Sequence, residues 1–259
     1  MSERKQGRRS AEEAEHTKCE IMRVAADMFA EHGFEGVSLR NISEKAGVSH
    51  SLIRYHFGSK EKIWKEVTDA MDAFMQEYIV ALMDDIPKHL NSANRAYQFL
   101  VRMNAFTLVI PQPIQFIADA VRVSNSELFE YFIATKDEFA TMFDNLFDEY
   151  NQENPNNPIN IWEMRWQMLQ SAHAAVSLKP MLDETWPEYR NNPDKLLLKH
   201  WQLFSKNIAM QLHIPLNDHL NPESLDELLL PMANCATATT AETTPSEAAL
   251  SSCSAAPKE

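Results

Sequence analysis

Glycine, cysteine and long apolar runs are all scarce in this sequence, and each shortage removes a class of protein. Five glycines in 259 residues leave little material for Gly-rich phosphate loops or for hairpins closed by tight turns. P-loop, GxGxxG, GxSxG and HExxH patterns are missing, so nucleotide-binding, α/β-hydrolase and zinc-protease chemistry have no local scaffold. A di-iron bundle needs Glu-x-x-His from two helices, and only Glu13 with His16 has that spacing. Three cysteines, Cys19, Cys235 and Cys253, are odd in number, far apart and without a CxxC pair. That excludes a disulfide framework or zinc ribbon and points to a reducing compartment. The longest apolar stretch, NAFTLVIPQPIQFI, is broken by Pro111 and Pro113, short of the roughly 18 apolar residues of a spanning helix. MSERKQGRRS is charged where a signal peptide would be apolar. The expectation is a cytoplasmic, non-membrane protein, not an enzyme, with no cofactor and no metal.

Large flexible apolar side chains are plentiful, with 13 Met and 13 Phe among 44% hydrophobic residues. With glycine so rare, this favours long helices and an all-α fold. Charge is uneven. Residues 1–65 carry 12 Lys and Arg against 10 Asp and Glu, net +2, whereas the remaining 194 carry 12 against 27, net −15, which together give the net charge of −13. A near-neutral to basic head can approach a polyanion that the acidic remainder repels.

Along the chain, Ile21, Val24, Ala25, Met28 and Phe29 recur every three or four residues and predict a helix ending at His32 and Gly33. Ser38 is placed to cap a short helix, LRNISEKA, that Gly47 ends. Ser49 is placed to cap another, HSLIRYHF, whose Leu52 or Ile53 and Phe57 face inward. Ser59 opens a long amphipathic segment closed by Pro87. Further helices are predicted over 94–109, 114–123, 127–150, 161–178 and 194–212, with NQENPNNPIN as a loop. From Pro231 the Ala, Thr and Ser-rich tail lacks the bulk to order itself. This gives a flexible basic arm over 1–17, a three-helix head over 18–65, a helical body over 66–230 and a disordered tail over 231–259.

Two short helices around Gly47 fit a helix-turn-helix, whose second helix lies in a major groove. His50, Ser51, Arg54 and Tyr55 supply donors for base edges and phosphate on its outward side. Arg54 reads a base or holds a phosphate, and both readings stand. His56 either contacts DNA or packs at the helix end. Arg4, Lys5, Arg8 and Arg9 make an arm that follows the duplex or remains a solvated terminus.

The stretch AADMFAEHGFEGVSLRNISEKAGVSHSLIRYHFGSKEKIWKEV, residues 25–67, resembles the DNA-binding domain of the tetracycline-repressor (TetR) family of transcriptional regulators. The resemblance rests on FxxxGFEGVS, IxxxAGVS and YHFGSKE in that order and covers about a fifth of the chain. It implies that Ser38 and Arg40 touch phosphates, that His50, Ser51, Arg54 and Tyr55 face the groove with His56 beside it, and that Lys60 neutralises a phosphate. Ser49, at the start of the reading helix, completes this DNA-binding set. Two positions depart from the family pattern: Ser51 stands where many members have Gly, and Arg54 where many have Tyr, the aromatic here being Tyr55.

The resemblance further implies a helical effector-binding body and a homodimer whose two heads meet successive grooves of a palindromic, double-stranded operator. Phe74, Phe106, Phe116, Phe132, Trp162, Met168 and His173 are the candidates for a site taking a small, largely apolar effector, beside their plainer reading as core. Ala172, Ala175, Val176, Trp201, Phe204 and Ile208 are candidates for the dimer interface or, equally, for the core of one chain. The function expected is a ligand-responsive regulator, a repressor; the alternative is a constitutive DNA-binding or protein-interaction module without an effector.

Overall fold

The structure, a computed structural model, describes residues 4–122, 126–134 and 143–231. Those residues form helices and connecting turns, with no strand among them, as an all-α fold requires. They fall into two compact units, one holding 4–75, 116–122 and 126–134 and the other 76–115 and 143–231.

In the first unit α1 runs Arg4–Gly36, broken at Gly33, whose φ of 72° and ψ of 167° are not helical. Helix α1 therefore begins well before Ile21, where the apolar periodicity starts, and it includes the segment expected to be a flexible arm. The physical reason is propensity: Arg, Lys, Glu, Gln and Ala dominate residues 4–18 and extend a helix without needing an apolar face. Next come α2 (Leu39–Ala46), α3 (His50–His56) and α4 (Lys60–Asp85), with α6 (Gln112–Arg122) and α7 (Ser126–Ala134) later in the chain. Ile21, Ala25, Phe29, Phe34, Ile42, Ile53, Phe57, Ile63, Trp64 and Val67 are all buried. Of the predicted Leu52 or Ile53, it is Ile53 that turns inward.

The compact unit does not end at residue 65. Phe116 stacks on Trp64 with ring centroids 6.2 Å apart and meets Phe29 edge-on at 6.3 Å. On α7, Glu127 accepts from Lys65 Nζ at 2.9 Å and Tyr131 Oη donates to Asp69 at 2.6 Å. These contacts join residues 116–122 and 126–134 to the head, a long-range attachment that local periodicity cannot register.

The second unit is built around α5 (Ser92–Val109), most of whose residues are buried. Around it stand α8 (Asp144–Glu153), α9 (Ile161–Ser177), α10 (Lys179–Thr185) and α11 (Pro193–Gln211). Phe99, Phe143 and Phe147 form an aromatic cluster. Arg95 makes two 2.8 Å bonds to Glu149, and Arg102 bridges Asp85 at 2.7 Å and the Leu228 carbonyl at 3.1 Å. The predicted helix over 127–150 is split into α7 and α8; residues 135–142, along with the tail from 232, lie outside the described residues.

Candidate nucleic-acid interface

Two capped helix starts fix the reading unit. Ser38 Oγ accepts from the Asn41 N–H at 3.2 Å while Asn41 Oδ1 accepts from the Ser38 N–H at 3.2 Å, a reciprocal box that satisfies two otherwise orphaned donors. Ser49 Oγ accepts from the Leu52 N–H at 3.2 Å and starts α3 one turn after α2 ends. Between them Gly47 takes φ 65°, ψ 26°, the left-handed conformation that closes a helix and that side chains with a Cβ resist. Buried Ile42, Ile53 and Phe57 clamp the two helices from beneath.

What remains outside is a polar face. His50, Ser51, Arg54 and Tyr55 are exposed, Tyr55 at 81%. Arg54 has no ion-pair partner among the described residues. His56 is half-buried, its ring edge-on to Tyr55 at 5.2 Å and tilted against Phe57 at 6.1 Å; it supports the Tyr55 ring as much as it faces outward. Ser51 Oγ lies 2.9 Å from Ser49 Oγ, which orients both hydroxyls at the helix start.

Two expected phosphate ligands are already engaged. Arg40 is exposed but donates through Nε to Glu44 at 2.8 Å, and that carboxylate raises the guanidinium pKa further. Lys60 is half-buried, with Nζ donating to the Phe34 carbonyl at 2.8 Å and lying 4.0 Å from the centroid of the Phe34 ring. Instead of standing free for a phosphate, Lys60 holds the chain after the Gly33 break. The N–H of the same Phe34 donates to Asp119 Oδ2 at 2.7 Å. Both ends of one peptide neighbourhood are thus tied down, by α4 and by α6. Burial pushes the Asp119 carboxyl above the usual range against the pull of the Phe34 N–H and Arg122. Asp119 lies 85 residues from its partner, and no sequence pattern announces it; neither does one announce the Glu44 screen on Arg40 as anything beyond an i, i+4 pair.

The effector candidates are divided between the two units. Phe74 and Phe116 are buried in the first unit, whereas Phe106 is buried in the second and stacks on Tyr78 at 3.9 Å. Trp162 is 60% exposed, Met168 is half-buried, and His173 meets Ser177 Oγ on its own helix at 3.2 Å. The Phe132 side chain lies outside the described residues. A cleft of about 280 Å³ in the second unit is lined by Asp144, Phe147, Asp148, Asn151 and Ile159 to Ile161, none of them a candidate.

Most of the dimer candidates show the alternative held for them, burial in the core of one chain. Ala172, Ala175, Trp201, Phe204 and Ile208 are buried within the single chain, and Val176 is half-buried. Trp201 donates its indole N–H to the Val101 carbonyl at 2.8 Å, so this stripe closes the core around α5. The large apolar side chains left outside on the same helices are Trp162 and Trp166 on α9 and Leu203 and Met210 on α11. Helices α9 and α11 are held together by Gln167 and Gln211, whose amides exchange bonds of 3.0 and 2.7 Å, and by His200 Nε2 at 2.8 Å from the Ser171 carbonyl. Burial depresses the His200 pKa, against the pull of the Ser171 carbonyl. Among the described residues no group of three or more His, Cys, Asp or Glu is placed to hold a metal, and no helix is long and apolar enough to cross a membrane.

Residues 21–67 match the family model of bacterial regulatory proteins, tetR family. The HTH-type transcriptional regulatory protein RaaS of Mycobacterium tuberculosis is 46% identical over 71 residues, 27% of this chain and 30% of that protein. The HTH-type transcriptional repressor AcnR of Corynebacterium efficiens is 38% identical over 64 residues, 25% of this chain and 34% of that protein. The chain thus matches about a third of the length of these curated relatives. Beyond the head the likeness is one of fold: the Bacillus subtilis transcriptional regulator FadR, in complex with stearoyl-CoA, superposes with a TM-score of 0.51 at 16% identity, covering 74% of this chain and 96% of that one. The N-terminal helix-turn-helix of the chain, residues 21–67, is thus similar to that of the TetR family of bacterial transcriptional regulators.

Proposed function

We propose that this protein is a ligand-responsive repressor that binds a palindromic operator as a homodimer and is released by a small, largely apolar effector. The observation that carries the reading is α3 itself: a seven-residue helix, capped, clamped from beneath, and exposing His50, Ser51, Arg54 and Tyr55. Such groups have no structural use in water and every use against base edges. Helix α3 enters the major groove, with Ser38, Ser49 and Arg40 near phosphate and His56 beside the groove. Lys60 acts chiefly by holding Phe34, and through it the start of α2.

Two heads reach successive grooves only if a second copy sets their spacing, about 34 Å per turn of duplex. Exposed Trp162, Trp166, Leu203 and Met210 support α9 and α11 as the dimer face, in place of the buried stripe. The large apolar side chains of the body, and the fold shared with a regulator that holds stearoyl-CoA, support an apolar effector. Helix α4 is unbroken from Lys60 to Asp85 and belongs to both units, so a displacement at its far end is felt at the head. The effector changes operator affinity only by its differential affinity for the two head spacings. Recovery of genomic DNA bound to the purified protein tests the reading: enrichment of a palindromic promoter element is expected. No preference for any natural promoter over random duplex at moderate ionic strength would remove it.

A further inference from the structure

Along one face of α5 the polar groups are satisfied, with one exception. Tyr97 Oη and Ser205 Oγ share a hydrogen bond of 2.8 Å, and one turn later the Val101 carbonyl accepts the Trp201 indole at 2.8 Å. Asn104 is the next residue on that face by helical spacing, with 0% of its surface exposed. Its backbone carbonyl accepts from Thr107 Oγ1 at 2.9 Å. Neither of its side-chain amide atoms, Nδ2 or Oδ1, has a hydrogen-bond partner among the described residues. Met103, Phe106 and Leu108 beside it in sequence are buried and apolar. A planar amide with none of its surface exposed and no partner for either atom has lost its hydration without replacement, a state that native cores rarely keep.

We infer that Asn104 is the polar anchor of the effector, and that the effector carries a primary amide or lactam on an otherwise apolar body. This rests on the effector-responsive reading above and narrows its ligand class. The Asn side chain presents an acceptor and a donor on one edge. A molecule that satisfies both at once presents a C=O to Nδ2 and an N–H to Oδ1 from its own single edge, which a primary amide or a lactam does. An ester or thioester offers no donor and leaves Oδ1 unmet. A carboxylic acid has the right edge only while protonated, and near neutral pH it is ionised. Because Asn104 is fully enclosed, the ligand reaches it through local opening of the packing around α5.

Thermal melting of the full chain tests this without any DNA, using octanamide, N,N-dimethyloctanamide and octanoic acid as probes at pH 7. Asn104→Leu, which replaces the amide by an apolar group of similar shape, is expected to raise the melting temperature of the ligand-free protein by about 2–4 °C, the scale of one relieved buried polar group at this chain length. Octanamide is expected to raise the melting temperature of the wild type and to leave Asn104→Leu and Asn104→Ala unmoved. The dimethyl amide, which lacks the N–H, and the ionised acid are expected to leave all three unmoved. A lower melting temperature in Asn104→Leu overturns the inference, since the amide is then satisfied inside the folded chain. Failure of octanamide to shift the wild type overturns it, as does an equal shift from the dimethyl amide. If octanamide stabilises the wild type through Asn104 yet leaves promoter binding untouched, the anchor stands and the regulatory reading falls.

Discussion

Arg54 is exposed at the centre of α3, with neighbours that carry donors and no acid paired to it among the described residues. Arg54→Ala is expected to lower operator affinity, measured against a set of single-base operator variants. A loss concentrated at one position, of about 1–3 kcal/mol, marks a bidentate guanine contact; an even loss, with the salt slope reduced by about one, marks a phosphate. Operator affinity left unchanged would take Arg54 out of the interface. Asp119 has the opposite problem, a charge held where water is scarce. Its carboxyl is pushed above the ordinary value of 3.8, chiefly by burial, so the folded state binds its proton more tightly than the unfolded chain does. The linked stability is therefore fully present below that ordinary value and is lost as pH rises through the folded pKa. Asp119→Asn keeps an oxygen to accept from the Phe34 N–H and removes the charge. Melting curves of this variant are expected to lose the decline just above pH 3.8 and to match or exceed the wild type at pH 7.

At the scale of the element, the turn between α2 and α3 depends on one residue. Gly47 sits at φ 65° with nothing within 4 Å of where a Cβ would lie, so the cost of Gly47→Ala is conformational and not steric. About 1 kcal/mol of stability is expected to be lost in chemical denaturation, with weaker operator binding wherever α3 is re-aimed. Gly33 differs: a Cβ there would stand 2.7 Å from Asp119 Oδ1, so the break in α1 and the approach of α6 depend on the same missing atom. Both glycines stand out in a sequence that has only five. The glycine that ends a short helix is readable from its place; the one approached by a distant carboxylate is not. The faces of α9 and α11 teach the same lesson. Trp201, Phe204 and Ile208 make a stripe at helical spacing, but spacing alone does not say which of two stripes the chain's own core takes. Leu203→Glu with Met210→Glu, on the stripe left outside and 74% exposed at Met210, is expected to yield a monomer in sedimentation that melts within a few degrees of the wild type and binds the operator poorly. A dimer that persists would move the interface elsewhere.

For the whole molecule, charge separates the work of its parts. Residues 66–259 carry 27 acids against 12 Lys and Arg, which repels the duplex and leaves the head as the only favourable approach. Operator binding should therefore fall steeply with salt, as contacts to phosphate do. The tail is compositionally unable to bury much surface, so a chain ending at Met232 is expected to match the full chain in melting temperature and operator affinity. A clear drop in either would give the tail a role.

The amino-acid order alone was enough for the all-α class, the capped pair of helices about Gly47, the outward His50, Ser51, Arg54 and Tyr55 and the inward Phe57. Each of these follows from spacing and capping chemistry within a few residues, where a helix leaves no choice of neighbour. Packing between distant segments settled the rest: the carboxylate of Asp119 on the Phe34 N–H, the turning of Lys60 inward, the burial of Trp201 and the enclosed amide of Asn104. Those depend on which of several equally apolar surfaces meet in three dimensions, a competition among contacts far apart in the chain that no local pattern encodes.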